Sequence, residues 1–427
     1  MRTRALAAAA LLLSTTTLHA AGLDRSFQNT SWIFADDGTA SFTFSHVNPD
    51  VTGTDAFGAR YDVGESYEQT QFTYTHGLTE DVTIGVHVDQ PFGADVFYNA
   101  APAASTLGGT GADLSSEALT VLGKYQITPR ISVFGGAKIQ RVRASVDLNG
   151  VAYRNAIPTA GVVGAFNAVL PTGAPALSTA LLGAALQGDV TAATTIDTTY
   201  GGGTTATLGG QVAGLQGAFD ADNGYSFSMD ADTQVGYLVG AAYEIPDIAL
   251  RAALTYHAEI DHTASTQEQI LGNAVGGTVD YVTPQSVNFD FQTGIAADTL
   301  LLFSYRWTDF SAVDVVPLGL GSDLVNLDDG HRYTLGVGRR FTDNFSGSVT
   351  FSYEPEGDTD LVSPLGPTDG LFGISVGGRY TRDNLTVSGG VNYSWLGDAR
   401  PEVGGQPVAQ FADNTSLAVG FKVDWKF

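Results

Sequence analysis

Three residues at every second position, His257, Glu259 and Asp261, are the nearest thing in this chain to a reactive cluster. On an extended strand that spacing puts all three on one face, where they can hold a metal, relay a proton or simply line a polar wall. We read the row as a polar lining, with no metal and no cofactor. A hydrolase needs a Ser–His or Asp–His pair oriented by a third group, and no such constellation is assigned. No CxxC, HExxH, phosphate-loop or dinucleotide motif occurs. No catalytic residue is therefore named, and the chain is not expected to be an enzyme. A second group is cationic: Lys138, Arg251, Arg306, Arg332, Arg340, Arg379 and Lys422. Each either pairs with an acid such as Glu244, Glu259 or Asp309, or meets a ligand carboxylate. Magnitudes limit what these cations decide. A sixteen-carbon tail gains about 0.8 kcal/mol per buried methylene, on the order of 12 kcal/mol in all. A charged hydrogen bond adds only about 1.5–3 kcal/mol. Tail burial dominates.

The elements that would position these residues are strands. In Ser416–Phe427, Leu417, Val419, Phe421, Val423, Trp425 and Phe427 alternate with small or charged residues. Comparable alternation covers 248–261, 301–308, 345–353 and 385–395. One apolar face opposite one of Ser, Thr, Gly and charge suits a wall with lipid outside and a polar or plugged lumen inside. Six short, turn-forming connections fall at 77–81, 127–130, 245–247, 297–299, 342–344 and 381–384. Seven long polar connections alternate with them, near 48–66, 91–114, 148–225, 262–283, 311–329, 354–369 and 397–411. That sorting of loops by length requires an even strand number, fourteen. The expected fold is all-β: a fourteen-stranded antiparallel transmembrane β-barrel with a short N-terminal plug, closed so that every backbone group is paired in lipid.

Composition agrees. Twenty Lys and Arg against 45 Asp and Glu give a net charge of −25, which excludes a nucleic-acid partner. There is no cysteine, so no disulfide contributes to stability. Residues 1–20 read as an export signal, with Arg2 and Arg4 before the apolar run Ala5–Leu13 and small residues at the cleavage point. The domain plan is signal 1–20, plug or hatch 21–39 and barrel 40–427, with residues 148–225 forming a long, partly helical external loop. Two helices are expected in that loop, over Pro175–Gly188 and Thr207–Phe219. Their apolar residues form either a groove for ligand or a lid that buries itself. The plug holds Phe27, Trp32, Ile33 and Phe34, and it either folds into the lumen or docks beneath it. Pro91 and Gly93 after the third strand mark either a kink in the wall or the strand's end.

These features resemble the FadL family of outer-membrane transporters of long-chain fatty acids and other hydrophobic compounds. Ala21-Gly22-Leu23 is similar to the family's mature N-terminus, and Val47-Asn48-Pro49-Asp50-Val51-Thr52-Gly53 to the segment leaving its first strand. Val88-Asp89-Gln90-Pro91-Phe92-Gly93 falls at its kinked third strand, and Ala253-Leu254-Thr255-Tyr256-His257-Ala258-Glu259-Ile260 resembles its seventh. The Asn-Pro-Ala motif near the end of the family's hatch is absent, and the hatch is shorter. The resemblance implies capture of ligand by a groove in an external loop, transfer to a lumen site and sideways release at the third strand. The expected ligand contacts are Phe27, Trp32 and Phe34 in the plug, Pro91 and Phe92 at the kink, and Phe134 and Arg306 in the lumen. Arg141, with Arg143 as the alternative, stands for the family's basic lumen residue, and Phe166, Leu177 and Leu181 for the loop groove. The expected partners are a long-chain fatty acid or other hydrophobic small molecule, outer-membrane lipid, and the assembly machinery through the final strand ending in Phe427. The expected state is a monomer in the bacterial outer membrane with both termini periplasmic. A general porin and a barrel-anchored surface receptor are the alternative functions.

Overall fold

The computed structural model describes residues 23–325, 327–357 and 359–427. The export signal expected at residues 1–20 lies outside them. Fourteen strands form the wall. They are β1 Thr39–Asp50, β2 Tyr67–Gly77, β3 Val82–Asp89 resuming at Gly93–Phe97, β4 Gly111–Thr128 and β5 Ile131–Leu148. Next come β6 Tyr225–Ile245, β7 Leu250–His257 resuming at Ile260–Ile270, β8 Asn273–Thr283 resuming at Ser286–Ala296, and β9 Thr299–Thr308. The last are β10 Gly330–Arg340, β11 Phe345–Glu354, β12 Leu371–Arg382, β13 Leu385–Leu396 and β14 Thr415–Lys426. All neighbours run antiparallel, and β14 closes on β1 with Thr39 opposite Lys426 and Asp50 opposite Thr415. Closure of β14 on β1 removes the two end edges that an open sheet would expose.

The period-two pattern sorts as lipid demands. Along β14, Leu417, Val419, Phe421 and Trp425 are 43–52% exposed, while Ser416 and Ala418 are 1% exposed. Outward apolar residues continue around the wall through Phe42, Phe72, Val121, Val239, Leu254, Leu335, Phe351 and Val391. A water-soluble sheet would reverse that assignment. No described helix is long and apolar enough to cross a membrane.

One expected long connection is not a loop. Residues 262–283 continue β7 and β8 beyond the apolar belt and turn at Leu271-Gly272, both with positive φ. Both strands break once, at 258–259 and 284–285, where Pro284 has no N–H for the ladder. The break moves the inward face of β7 by one residue. His257, Ile260 and His262 are buried, whereas Glu259 and Asp261 are exposed. The expected common face of His257, Glu259 and Asp261 is therefore split, and among the described residues no cluster could hold a metal ion.

The long connection after β5 carries four helices: α1 Gly150–Ala168, α2 Thr179–Leu186, α3 Val190–Tyr200 and α4 Thr204–Ala221. Two of them, α1 and α3, were not read as helical in the sequence. Asn149 and Asp189 cap their N-termini, with Asp189 accepting from Thr191 N and Ala192 N. In α3 the hydroxyls of Thr194, Thr195 and Thr199 donate to carbonyls four residues earlier, so they are satisfied within the helix.

Candidate functional site: an apolar cavity behind a gap in the wall

At the short-turn end, residues 23–38 fold into the lumen and touch strands all around it. Asp24 Oδ2 accepts from Arg306 Nε at 2.5 Å and from Thr308 Oγ1 at 3.3 Å. Arg306 also reaches Ser286 Oγ at 2.9 Å and Asn288 Oδ1 at 2.7 Å. Ser26 Oγ donates to Asp89 at 2.6 Å, Lys138 Nζ donates to Gln28, and Thr30 and Thr255 share a bond of 2.9 Å. Asp24, Ser26, Gln28 and Thr30 are thus each matched to a different strand, which offsets the desolvation of these buried groups. The aromatics lock its base. Trp32 stacks on His87 at 5.3 Å, and Phe34 meets Phe134 edge-on at 5.7 Å. Arg251 and Lys124 lie over the Phe34 ring at 4.6 and 4.9 Å. Phe27 lies under Arg332 at 4.3 Å, and its carbonyl accepts from Asn288 at 3.0 Å.

Above this polar layer the lumen holds a cavity of about 130 Å³. Its walls include Leu23, Phe92, Ala144, Met229, Tyr281 and Phe310, with further apolar groups from the loops after β9 and β11. Asp113 is the sole charged side chain among its described lining residues, and no Lys or Arg reaches it. Leu324, Leu327, Ser363, Leu365 and Gly366 line both this cavity and a vestibule of about 920 Å³ open to the long-loop end. They form the partition between the two. The vestibule has a floor of leucines and a rim of acids, among them Asp323 and Asp369, whose carboxyls burial pushes above the ordinary range.

The wall beside the cavity is interrupted at β3. The β2–β3 ladder runs from Gly77 opposite Thr83 only as far as Phe72 opposite Val88. Beyond it, Tyr67–Gln71 pairs with β1 alone, and Gly93–Phe97 pairs with β4. Across the gap a side chain stands in, Thr70 N donating to Gln90 Oε1 at 3.2 Å. The chain before β2 recloses the wall farther up, where Phe97 N donates to Val63 O at 3.2 Å. From inside, Arg25 fills the opening. Its N–H donates to Pro91 O at 2.8 Å, its guanidinium lies 4.0 Å over the Tyr67 ring, and it pairs with Asp95. Gly93 leaves room for that guanidinium, which a Cβ at this position would have to displace.

The structure gathers only some of the expected contacts here. Pro91 and Phe92 are at the gap, Phe92 on the cavity and edge-on to Phe310 at 6.2 Å. Arg306, Phe27, Trp32, Phe34 and Phe134 lie below, engaged within the polar layer and the base of the plug. Arg141 is corrected. Lys138, Gln140 and Val142 face inward on β5, so Arg141 and Arg143 project outward and are exposed. Phe166, Leu177 and Leu181 do not form an open groove. They pack with Val162, Leu182, Ile196, Leu208 and Val212 in a core internal to the helical lid. Sequence reading missed Ala144, Met229, Tyr281, Phe310, Leu324 and Leu365 as cavity residues. Phe310 follows Asp309 at the end of β9, a signal available in the sequence; the others are ordinary apolar residues there.

Comparison with solved structures finds the same architecture. A FadL homologue from Pseudomonas aeruginosa matches with 12% identity and a TM-score of 0.65, over 97% of this chain and 95% of that one. The toluene transporter TodX from Pseudomonas putida matches with 13% identity and a TM-score of 0.58, over 94% of each chain. The toluene transporter TbuX from Ralstonia pickettii matches with 12% identity and a TM-score of 0.57, over 97% and 96%. No curated protein sequence matches. The family described as "Outer membrane protein transport protein (OMPP1/FadL/TodX)" matches residues 33–400. With a plugged fourteen-stranded wall and a match across most of its length, the chain belongs to the FadL/TodX family of outer-membrane transporters of hydrophobic compounds.

Proposed function

We propose that this protein passes small neutral hydrophobic molecules, about one aromatic ring in size, from the long-loop exterior into the lumen cavity. They then leave sideways through the gap between β2 and β3. The observation that carries this reading is the cavity itself: about 130 Å³, apolar on nearly every side and free of Lys or Arg among the described residues. An apolar cavity of about 150 Å³ stays dry and binds benzene, so the volume suits a ring of that class. A long-chain fatty acid would have to occupy vestibule and cavity together, with its carboxylate facing acids at the rim or Asp113 inside. That arrangement favours the neutral ligand over the fatty acid suggested by the family resemblance. The toluene transporters among the structural relatives are in keeping with this reading. The plugged lumen argues against a general porin. The test is Ala144→Phe, which fills the cavity from β5. Toluene binding to the purified protein, followed by intrinsic fluorescence, should fall at least about tenfold while the barrel remains folded. Undiminished toluene binding would refute the cavity as the site.

A further inference from the structure

We propose that residues 313–325, in the connection after β9, form a hinged flap that admits ligand from the vestibule to the cavity, with Glu268 as its latch. This rests on the transport reading, which needs a passage where the structure has a partition. The flap has one face on each space. Val313, Val315, Leu324 and Val325 line the cavity, while Gly319, Leu320 and Asp323 line the vestibule. The other half of the partition is fastened to neighbouring loops. Leu361–Val362 pairs with Arg400 and Pro401, and Pro364 O accepts from Tyr98 Oη at 2.8 Å.

The flap is built to move as one piece. Asp323 Oδ1 accepts from Val315 N at 2.8 Å and from Val325 N at 3.0 Å. Leu324 N donates to Val315 O at 2.9 Å, and Gly321 N to Pro317 O at 2.8 Å. At the neck, Asp329 joins the two flanks, accepting from Trp307 Nε1 at 3.0 Å and Ser311 N at 3.2 Å. A loop closed on itself in this way is an Ω-loop, able to swing about its neck. Among the described residues, no backbone–backbone hydrogen bond joins 313–325 to a wall strand. One buried side chain holds the tip instead. Glu268, 3% exposed on β7, accepts from Gly319 N at 2.8 Å and Leu320 N at 3.0 Å, and Tyr225 Oη fixes it at 2.9 Å. A Cβ on Gly319 would stand 2.9 Å from Glu268 Oε2, so the glycine leaves room for the latch. Bonds to a carboxylate are strong, but lifting the tip opens both amides to the vestibule, where water replaces the lost partner. Beneath, Val315 and Leu324 pack with Met229 and Tyr281. An apolar ring entering there offers the flap contacts of the same kind, so it recloses over bound ligand.

The chain has no cysteine, and a Cβ on Gly277 of β8 would stand 3.5 Å from Leu318 Cβ. That lies within the range of about 3.5–4.5 Å that a disulfide spans. Gly277→Cys with Leu318→Cys therefore ties the flap shut on oxidation. Toluene is mixed with the full chain in detergent, and binding is followed by stopped-flow intrinsic fluorescence. Association should slow at least about tenfold in the oxidised variant and return to the native rate on reduction. Glu268→Gln does the converse. Association and dissociation should both quicken at least about threefold while affinity changes by less than about twofold, because a more populated open state serves entry and exit alike. Faster dissociation alone, with affinity lost, would show Glu268 shaping the cavity and overturn its role as latch. Association at the native rate with the disulfide formed overturns the flap and leaves the cavity standing as the binding site. Failure of toluene to bind the native chain overturns both readings.

Discussion

At the scale of residues, the plug is held by matched charge. Arg306 and Asp24 are both nearly inaccessible, with side chains 8% and 3% exposed. Removing one partner of such a pair leaves a buried, uncompensated charge, which typically costs about 3–5 kcal/mol. Arg306→Ala should therefore loosen the N-terminal segment by about that amount, and Arg306→Leu with Asp24→Leu by less. Protease cleavage between residues 23 and 38, monitored against intact barrel, measures it. Unchanged protection in Arg306→Ala would remove the pair from the account of the plug. The pair also shows why charged residues were hard to assign from sequence. Arg306 was visible as an inward cation, but its partner sits 282 positions away in a segment with no strand pattern.

At the scale of elements, the interrupted third strand and the helical lid each make a separate claim. If ligand leaves through the gap, joining its two sides should stop it. The chain has no cysteine, so Thr70→Cys with Gln90→Cys creates a unique pair where a side chain already bridges the strands. Toluene uptake into vesicles should drop at least about fivefold on oxidation and recover on reduction, while binding persists. Uptake that survives oxidation would place the exit elsewhere. The lid makes the opposite claim. Leu182 is 0% exposed within a core that the four helices share, so Leu182→Asp should unfold the lid. Because α2 and α3 line neither the cavity nor the vestibule, toluene binding should change by less than about twofold. Helix α1 differs, since Tyr153, Ala156 and Ile157 line the vestibule. The sequence showed apolar spacing in the lid but could not tell a groove from a closed core. That choice depends on which helices face one another, and α1, α2 and α4 do not confine their apolar residues to one face.

At the scale of the whole molecule, a sealed wall with an occupied lumen should conduct almost no ions. Planar bilayers containing the native protein should be nearly silent, and removal of residues 23–38 should open steady steps of conductance. Steady conductance by the native protein would restore the porin reading. The wall was legible because its rule is local. Alternation of period two and tight Asp-, Asn- and Pro-containing turns each lie within a dozen residues, and lipid leaves few ways to satisfy the backbone. That rule gave the fourteen strands and both faces, down to the exposed Leu417 beside the buried Ser416. It failed where strands shift register. The break in β7 separated His257 from Glu259, and β5 turned Arg141 outward, in a stretch where polar residues on both faces hide the parity. The cavity was beyond it altogether, because Phe92, Ala144, Met229, Tyr281, Leu324 and Leu365 are brought together from six different strands and loops. A strand's facing is written in its neighbours along the chain, whereas an enclosed space exists only between distant segments once they have packed.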